Sequence, residues 1–69
     1  MLNTKAIKAQ MIMKDKPAAY LAKKMGITPT TFYKKLREEV KLSRKDIEFL
    51  IEELEIDDPV KYFFHKEVS

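Results

Sequence analysis

The sequence contains no cysteine, so neither a disulfide nor a thiolate-bound metal can help to hold the folded chain together. Its one histidine, His65, has no partner at a metal-binding spacing, and we expect it to lie on the surface. With 69 residues, the chain is near the size at which a hydrophobic core alone is barely sufficient. We therefore expect one domain over residues 1–69, without a metal or a cofactor, in a reducing cytoplasmic compartment.

Long apolar runs and strand-like patterns are also missing. No stretch approaches the roughly 18 apolar residues that a membrane-spanning helix needs, and the N-terminal residues show no secretory pattern. No segment alternates apolar and polar residues as a half-buried strand does. These absences predict a soluble, all-α protein that does not enter a membrane.

Breakpoints are few, because the chain has one glycine and three prolines. Gly26 suits the left-handed position that follows a helix. Each of the three prolines suits the first turn of a helix; they are Pro17, Pro29 and Pro59. These signals predict five helices, at about residues 4–14, 18–25, 29–38, 44–55 and 59–66.

Capping residues support three of these helix starts. Asn3 or Thr4 can cap the first helix, and Thr28 can cap the third. Ser43 and Asp46 match a capping box, in which each side chain accepts a hydrogen bond from the other residue's backbone. The fourth helix therefore has the clearest predicted start.

Apolar residues recur at helical spacing and predict the core. The expected core residues are Ile7 and Met11, Leu21 and Met25, Phe32 and Leu36, then Ile47, Leu50, Ile51 and Leu54, and finally Val60, Phe63 and Phe64. Phe49 does not fit this pattern, because it falls on the far side of the buried stripe of its helix.

Charge is divided unevenly along the chain. Residues 1–37 contain nine basic side chains and one acidic one, whereas residues 38–69 contain five basic and ten acidic ones. A lysine-rich half can simply be a solvated surface, but this asymmetry also suits a protein whose first half faces a polyanion.

The outward face of the predicted third helix is polar and cationic. Threonine is a mediocre helix former, so two in tandem beside an exposed tyrosine are not what stability alone favours. In a DNA major groove, threonine can meet base edges and lysine can reach guanine acceptors. The residues expected to contact bases or the groove are Pro29, Thr30, Thr31, Tyr33, Lys34 and Arg37.

Nearly the whole chain is covered by four segments that resemble a known family: NTKAIKAQMI, YLAKKMGITPTTFYKKL, LSRKDIEFLIEELEI and DDPVKYFFHKEVS. The chain resembles the Cro and repressor (Xre-like) family of phage-type helix-turn-helix regulators. In particular, it is similar to the small Cro-like proteins of phages and prophages from low-GC Gram-positive bacteria. The resemblance implies a five-helix, lambda-repressor-like domain that binds operator DNA on the nucleoid as a homodimer. Its third helix would lie in the major groove.

Two departures from the family concern the DNA side. Pro17-Ala18 stands where the family often has Thr-Gln, and Arg37-Glu38 replaces its usual Asn-Gly turn. A helix N-terminus can still offer backbone N–H groups to a phosphate, whereas Glu38 and Glu39 would repel one. The lysines either contact phosphates or only keep the domain soluble. The expected phosphate contacts are Lys16, Ala18, Ala19, Thr28, Lys35 and Lys41.

The sequence also offers a candidate dimer surface and an alternative function. Phe49 and Ile56 are the candidate dimer contacts, unless the fifth helix folds back and covers Phe49. No nucleophile–base pair, phosphate-cradling loop or metal cluster is visible, so we expect neither an enzyme nor a small-molecule substrate. The alternative is a protein-interaction module of the same fold that modulates a partner repressor, which the acidic pair after the third helix favours.

Overall fold

The computed structural model describes residues 2–63, which form five helices and no strand in that range. The helices are α1 (Thr4–Met13), α2 (Ala18–Met25), α3 (Pro29–Leu36), α4 (Arg44–Glu53) and α5 (Pro59–Phe63). The all-α prediction is confirmed, although α1, α3 and α4 end one or two residues earlier than predicted. No helix among the described residues combines the length and apolar character that crossing a bilayer requires.

The predicted caps are present. The Asn3 side chain accepts a hydrogen bond from the Ala6 N–H at 3.1 Å, and Thr28 caps α3. Ser43 and Asp46 form both hydrogen bonds of the capping box. Pro17 differs from its prediction, because it is the residue before α2 and not the first helical residue. Since proline has no capping side chain, the first turn of α2 receives no side-chain acceptor from it.

The core is one apolar cluster to which all five helices contribute. Among the described residues, α2 and α3 pack most extensively against each other. The buried residues are Ile7, Met11, Ala18, Leu21, Ala22, Phe32, Leu36, Leu50, Leu54, Ile56 and Phe63. Most of the predicted core is therefore confirmed, with Met25, Ile47 and Ile51 only half-buried at its edge.

The prediction for the fifth helix is wrong in part. Val60, expected in the core, is 64% exposed, and the half-buried Tyr62 packs there instead. The cause is that α5 approaches the start of α1, where the Asn3 N–H donates to the Tyr62 carbonyl at 2.8 Å. Phe64 and His65 lie outside the described residues.

Helices α1 to α4 all end in the same way. After α3, the Glu38 N–H donates to the Lys35 carbonyl at 3.1 Å, and the Glu39 N–H donates to the Lys34 carbonyl at 2.8 Å. This pair of bonds is a Schellman motif, which requires a left-handed residue. The four left-handed residues at these positions are Asp15, Gly26, Glu38 and Glu55. Three helices therefore use an acidic residue where glycine is the common choice.

Glu38→Gly is expected to stabilise the domain by about 0.5–1 kcal/mol. A left-handed conformation costs a non-glycine residue roughly 1–2 kcal/mol, and glycine removes this cost. Part of the gain is lost, because glycine also makes the unfolded chain more flexible. The melting temperature should rise by about 3–6 °C in thermal denaturation followed by circular dichroism. Glu38→Ala is the matched control, because it removes the same charge but keeps the strained backbone. Equal melting temperatures for the two variants would show that the backbone at Glu38 is not strained.

Candidate nucleic-acid interface

Helix α3 presents a polar face to solvent. Thr30, Tyr33, Lys34 and Arg37 are exposed, and Pro29 is exposed at the start of the helix. The predicted outward position of these five residues is confirmed, and whether they contact a ligand stays a prediction.

Thr28 and Thr31 are engaged with each other at the start of α3. The Thr28 hydroxyl donates to the Thr31 hydroxyl at 3.1 Å and accepts from the Thr31 N–H at 3.2 Å. Thr31 is half-buried, and its hydroxyl is engaged with the Thr28 cap of the helix. Of the two tandem threonines, Thr30 is the one that is open to a base.

Tyr33 connects α3 with α1. Its ring meets the buried Phe32 edge-on, with 6.0 Å between the ring centroids. From the other helix, the Lys8 Nζ lies 5.9 Å from the Tyr33 centroid, within the range of a cation–π interaction. Lys8 was not among the sequence-based contacts, because its place beside α3 depends on how α1 crosses the domain.

A groove of about 490 Å³ begins at Tyr33 and runs between α1 and the start of α2. We call it the α1–α2 groove. It is lined by Lys8, Met11, Ile12, Asp15, Lys16, Pro17, Ala18 and Tyr33. The groove places two lysines beside a helix N-terminus whose first turn has no side-chain cap, and this combination suits an anion. Ala18 is buried there, whereas Ala19 is exposed.

Lys35 has a structural role that opposes its predicted phosphate contact. Its Nζ lies 2.6 Å from Asp46 Oδ2, and both side chains are largely buried. It also donates to the Lys41 carbonyl at 3.3 Å, so it braces the loop between α3 and α4. Burial would raise the pKa of the Asp46 carboxyl, but hydrogen bonds from Lys35 and Ser43 outweigh it and lower that pKa. The Lys41 side chain remains exposed.

Arg37 is paired with one of the two glutamates that follow α3. Its Nε lies 2.5 Å from Glu39 Oε2, and the hydrogen bond from Arg37 lowers the pKa of that carboxyl. Arg37 therefore partly neutralises the charge of Glu39. The predicted repulsion of phosphate then comes mainly from Glu38, which is exposed. The same pair ties up one of the cations expected to contact DNA.

The predicted dimer contacts are placed differently from each other. Ile56 is only 6% exposed and packs in the core, which contradicts its assignment as a contact. Its position follows from the end of α4, where the left-handed Glu55 turns the chain and the Ile56 N–H donates to the Ile51 carbonyl at 3.0 Å. Phe49 is half-buried against the core and keeps part of its ring accessible.

Within residues 2–63, no three His, Cys, Asp or Glu side chains come together as a possible metal site. Comparisons with models of known families, with curated proteins and with solved structures find no match to this chain. The chemistry of the α3 face and of the α1–α2 groove is thus the basis on which a function can be assigned.

Proposed function

We propose that the protein is a sequence-specific, DNA-binding transcriptional regulator of the Cro or repressor kind. The observation that carries the proposal is the continuity between the α3 face and the α1–α2 groove, which meet at Tyr33. One surface reads bases and the other holds the neighbouring backbone. DNA recognition requires both, because phosphate contacts position a protein and base contacts give it specificity.

The side chains fit the parts of a duplex that they would meet. Helix α3 lies in the major groove, where Thr30 meets a base edge or a thymine methyl and Lys34 reaches the acceptors of guanine. The phosphate backbone passes the α1–α2 groove. There, Lys8 and the uncapped first turn of α2 offer it positive charge and N–H donors.

The finer fold assignment belongs to the same proposal. Helix α2, the turn at Gly26 and helix α3 make the helix-turn-helix of a lambda-repressor-like domain, in agreement with the family that the sequence resembles. Such domains bind as homodimers that place two recognition helices about 34 Å apart on palindromic operators. In this chain the accessible part of Phe49 is the candidate contact between the two copies.

A second candidate function is a protein-interaction module that binds a partner repressor. The observation in its favour is the exposure of two adjacent apolar residues, Ile12 and Met13, at 80% and 78%. Ile12 lies on the wall of the α1–α2 groove, and an apolar side chain gains no favourable contact from a phosphate. Exposed apolar residues of this size commonly mark protein contacts when they form part of a larger patch.

Salt dependence separates the two candidates. If the protein is a DNA-binding regulator and each molecule contacts about four phosphates, its affinity for duplex DNA should fall by roughly 100-fold between 50 and 200 mM salt. Fluorescence anisotropy with the protein's own promoter region and a shuffled duplex measures both affinity and preference. Binding to the promoter no better than to the shuffled duplex at low salt would reject the regulator and leave the interaction module.

A further inference from the structure

Glu53, in the last turn of α4, holds two lysines of the basic half of the chain. Its Oε2 lies 3.0 Å from Lys24 Nζ, and its Oε1 lies 3.4 Å from Lys16 Nζ. The ring of Tyr20 lies close to both lysines, with its centroid 4.8 Å from Lys16 Nζ and 5.2 Å from Lys24 Nζ. The Glu53 side chain is only 17% exposed, although both lysines are more accessible.

These lysines adjoin the surface proposed for DNA. Lys16 lines the α1–α2 groove together with Tyr33 and Lys8, and Lys24 shares both the carboxylate and the Tyr20 ring with Lys16. An acidic residue of α4 therefore reaches across to the edge of the basic surface. The hydrogen bond from Lys24, aided by Lys16, lowers the pKa of the Glu53 carboxyl.

We propose that Glu53 competes with DNA phosphate for Lys16 and Lys24, and that it thereby sets how tightly the protein holds the DNA backbone. This inference rests on the proposed DNA-binding function. A carboxylate oxygen and a phosphate oxygen are alternative acceptors for the same ammonium group. A duplex in the α1–α2 groove must therefore draw Lys16 away from Glu53, or it gains no full contact from that lysine.

The competition affects the sequence-independent part of binding. Phosphate contacts supply most of the affinity for DNA of any sequence, together with its salt dependence. By neutralising part of the charge of Lys16 in the groove and of its neighbour Lys24, Glu53 limits non-specific binding. The sequence alone does not reveal this, because Glu53 is 37 residues from Lys16 along the chain.

Glu53→Gln tests the proposal, because it keeps the shape of the side chain and removes its charge. Affinity for a duplex of shuffled sequence should rise about three- to tenfold at 100 mM salt, and the slope of log affinity against log salt should steepen by roughly one. Glu52→Gln is the matched control. It removes the same formal charge from an exposed neighbour in α4, and should change affinity by no more than about twofold.

A double-mutant cycle of Lys16 with Glu53 measures the competition directly when all four proteins are folded. Lys16→Gln should cost little affinity while Glu53 is present, but about threefold or more in the Glu53→Gln protein. Thermal melting identifies any variant that has lost its structure. If Glu53→Gln has lost its structure, Lys16→Gln alone decides the proposal. Lys16→Gln should then weaken binding less than Lys8→Gln does.

The outcomes distinguish this inference from the proposed function. If the unaltered protein shows no salt-dependent binding to any duplex, the proposed function fails and the inference fails with it. If the protein binds but Glu53→Gln behaves like Glu52→Gln, only the competition is disproved. A loss of affinity in Glu53→Gln would also overturn it, since Glu53 would then position the lysines for DNA.

Discussion

Phe32→Ala is expected to leave the domain largely unfolded at 25 °C. The Phe32 side chain is completely enclosed in the core, at the helix that carries the candidate recognition face. Truncating a buried phenylalanine costs about 3–5 kcal/mol, because apolar contacts are lost and a cavity remains. A single core of this size supplies roughly that amount in total, and no disulfide adds to it.

Far-ultraviolet circular dichroism and urea denaturation measure this effect. Tyr33→Ala is the matched control, since it removes an aromatic ring from the next position, where the ring is exposed. It should cost no more than about 1 kcal/mol, which includes its edge-on contact with Phe32. If Phe32→Ala unfolded at the same urea concentration as the unaltered protein, the assignment of α3 to the core would be wrong.

The double substitution of Thr30→Ala with Lys34→Ala is expected to weaken binding to the preferred duplex by about 30-fold. Each side chain is exposed on α3 and is assigned a contact in the major groove, worth about 1 kcal/mol at the lower end of the usual range. Fluorescence anisotropy at fixed salt measures the loss. The melting temperature should stay nearly unchanged, because both side chains lie outside the core.

Lys45→Ala is the control for this loss, because it removes one exposed positive charge from α4, away from the groove. It should leave the affinity within about twofold. A loss of folding free energy as large as the loss of binding free energy would instead show that Thr30 and Lys34 are structural. The assignment of α3 as the recognition helix would then lose its main support.

Local signals in the sequence predicted the helix starts well. The caps Asn3, Thr28 and Ser43 act within three residues of themselves, so their effect depends little on the rest of the fold. The end of α3 was predicted two residues too late, because glycine is the usual signal for a Schellman motif and Glu38 stands there instead. Acidic residues in the left-handed conformation give no such signal in a single sequence.

Positions that depend on packing between distant segments were predicted less well. Val60 was expected in the core, but Tyr62 packs there instead, because the contact of α5 with α1 decides which side of α5 is buried. One of those contacts joins the Tyr62 hydroxyl to the Gln10 side chain, 52 residues away, at 3.4 Å. Helical periodicity carries no information about such a pairing.

The candidate site shows the same division. The exposure of Thr30, Tyr33 and Lys34 followed from helical spacing and is confirmed. The ion pairs that engage Lys16 and Lys35 were not foreseen, since their partners lie on α4. A lysine-rich sequence therefore overstates the positive charge that is free to meet a polyanion.

The most direct test of the DNA-binding surface is to titrate the isotopically labelled protein with duplex DNA and follow its backbone amide resonances by NMR. The account predicts that the largest shifts occur in residues 16–20 and 28–37, at the start of α2 and along α3. Residues 44–60, which carry most of the acidic side chains, should change little except around Glu53. Shifts concentrated on α4 and α5, or no shifts at saturating DNA and low salt, would contradict it.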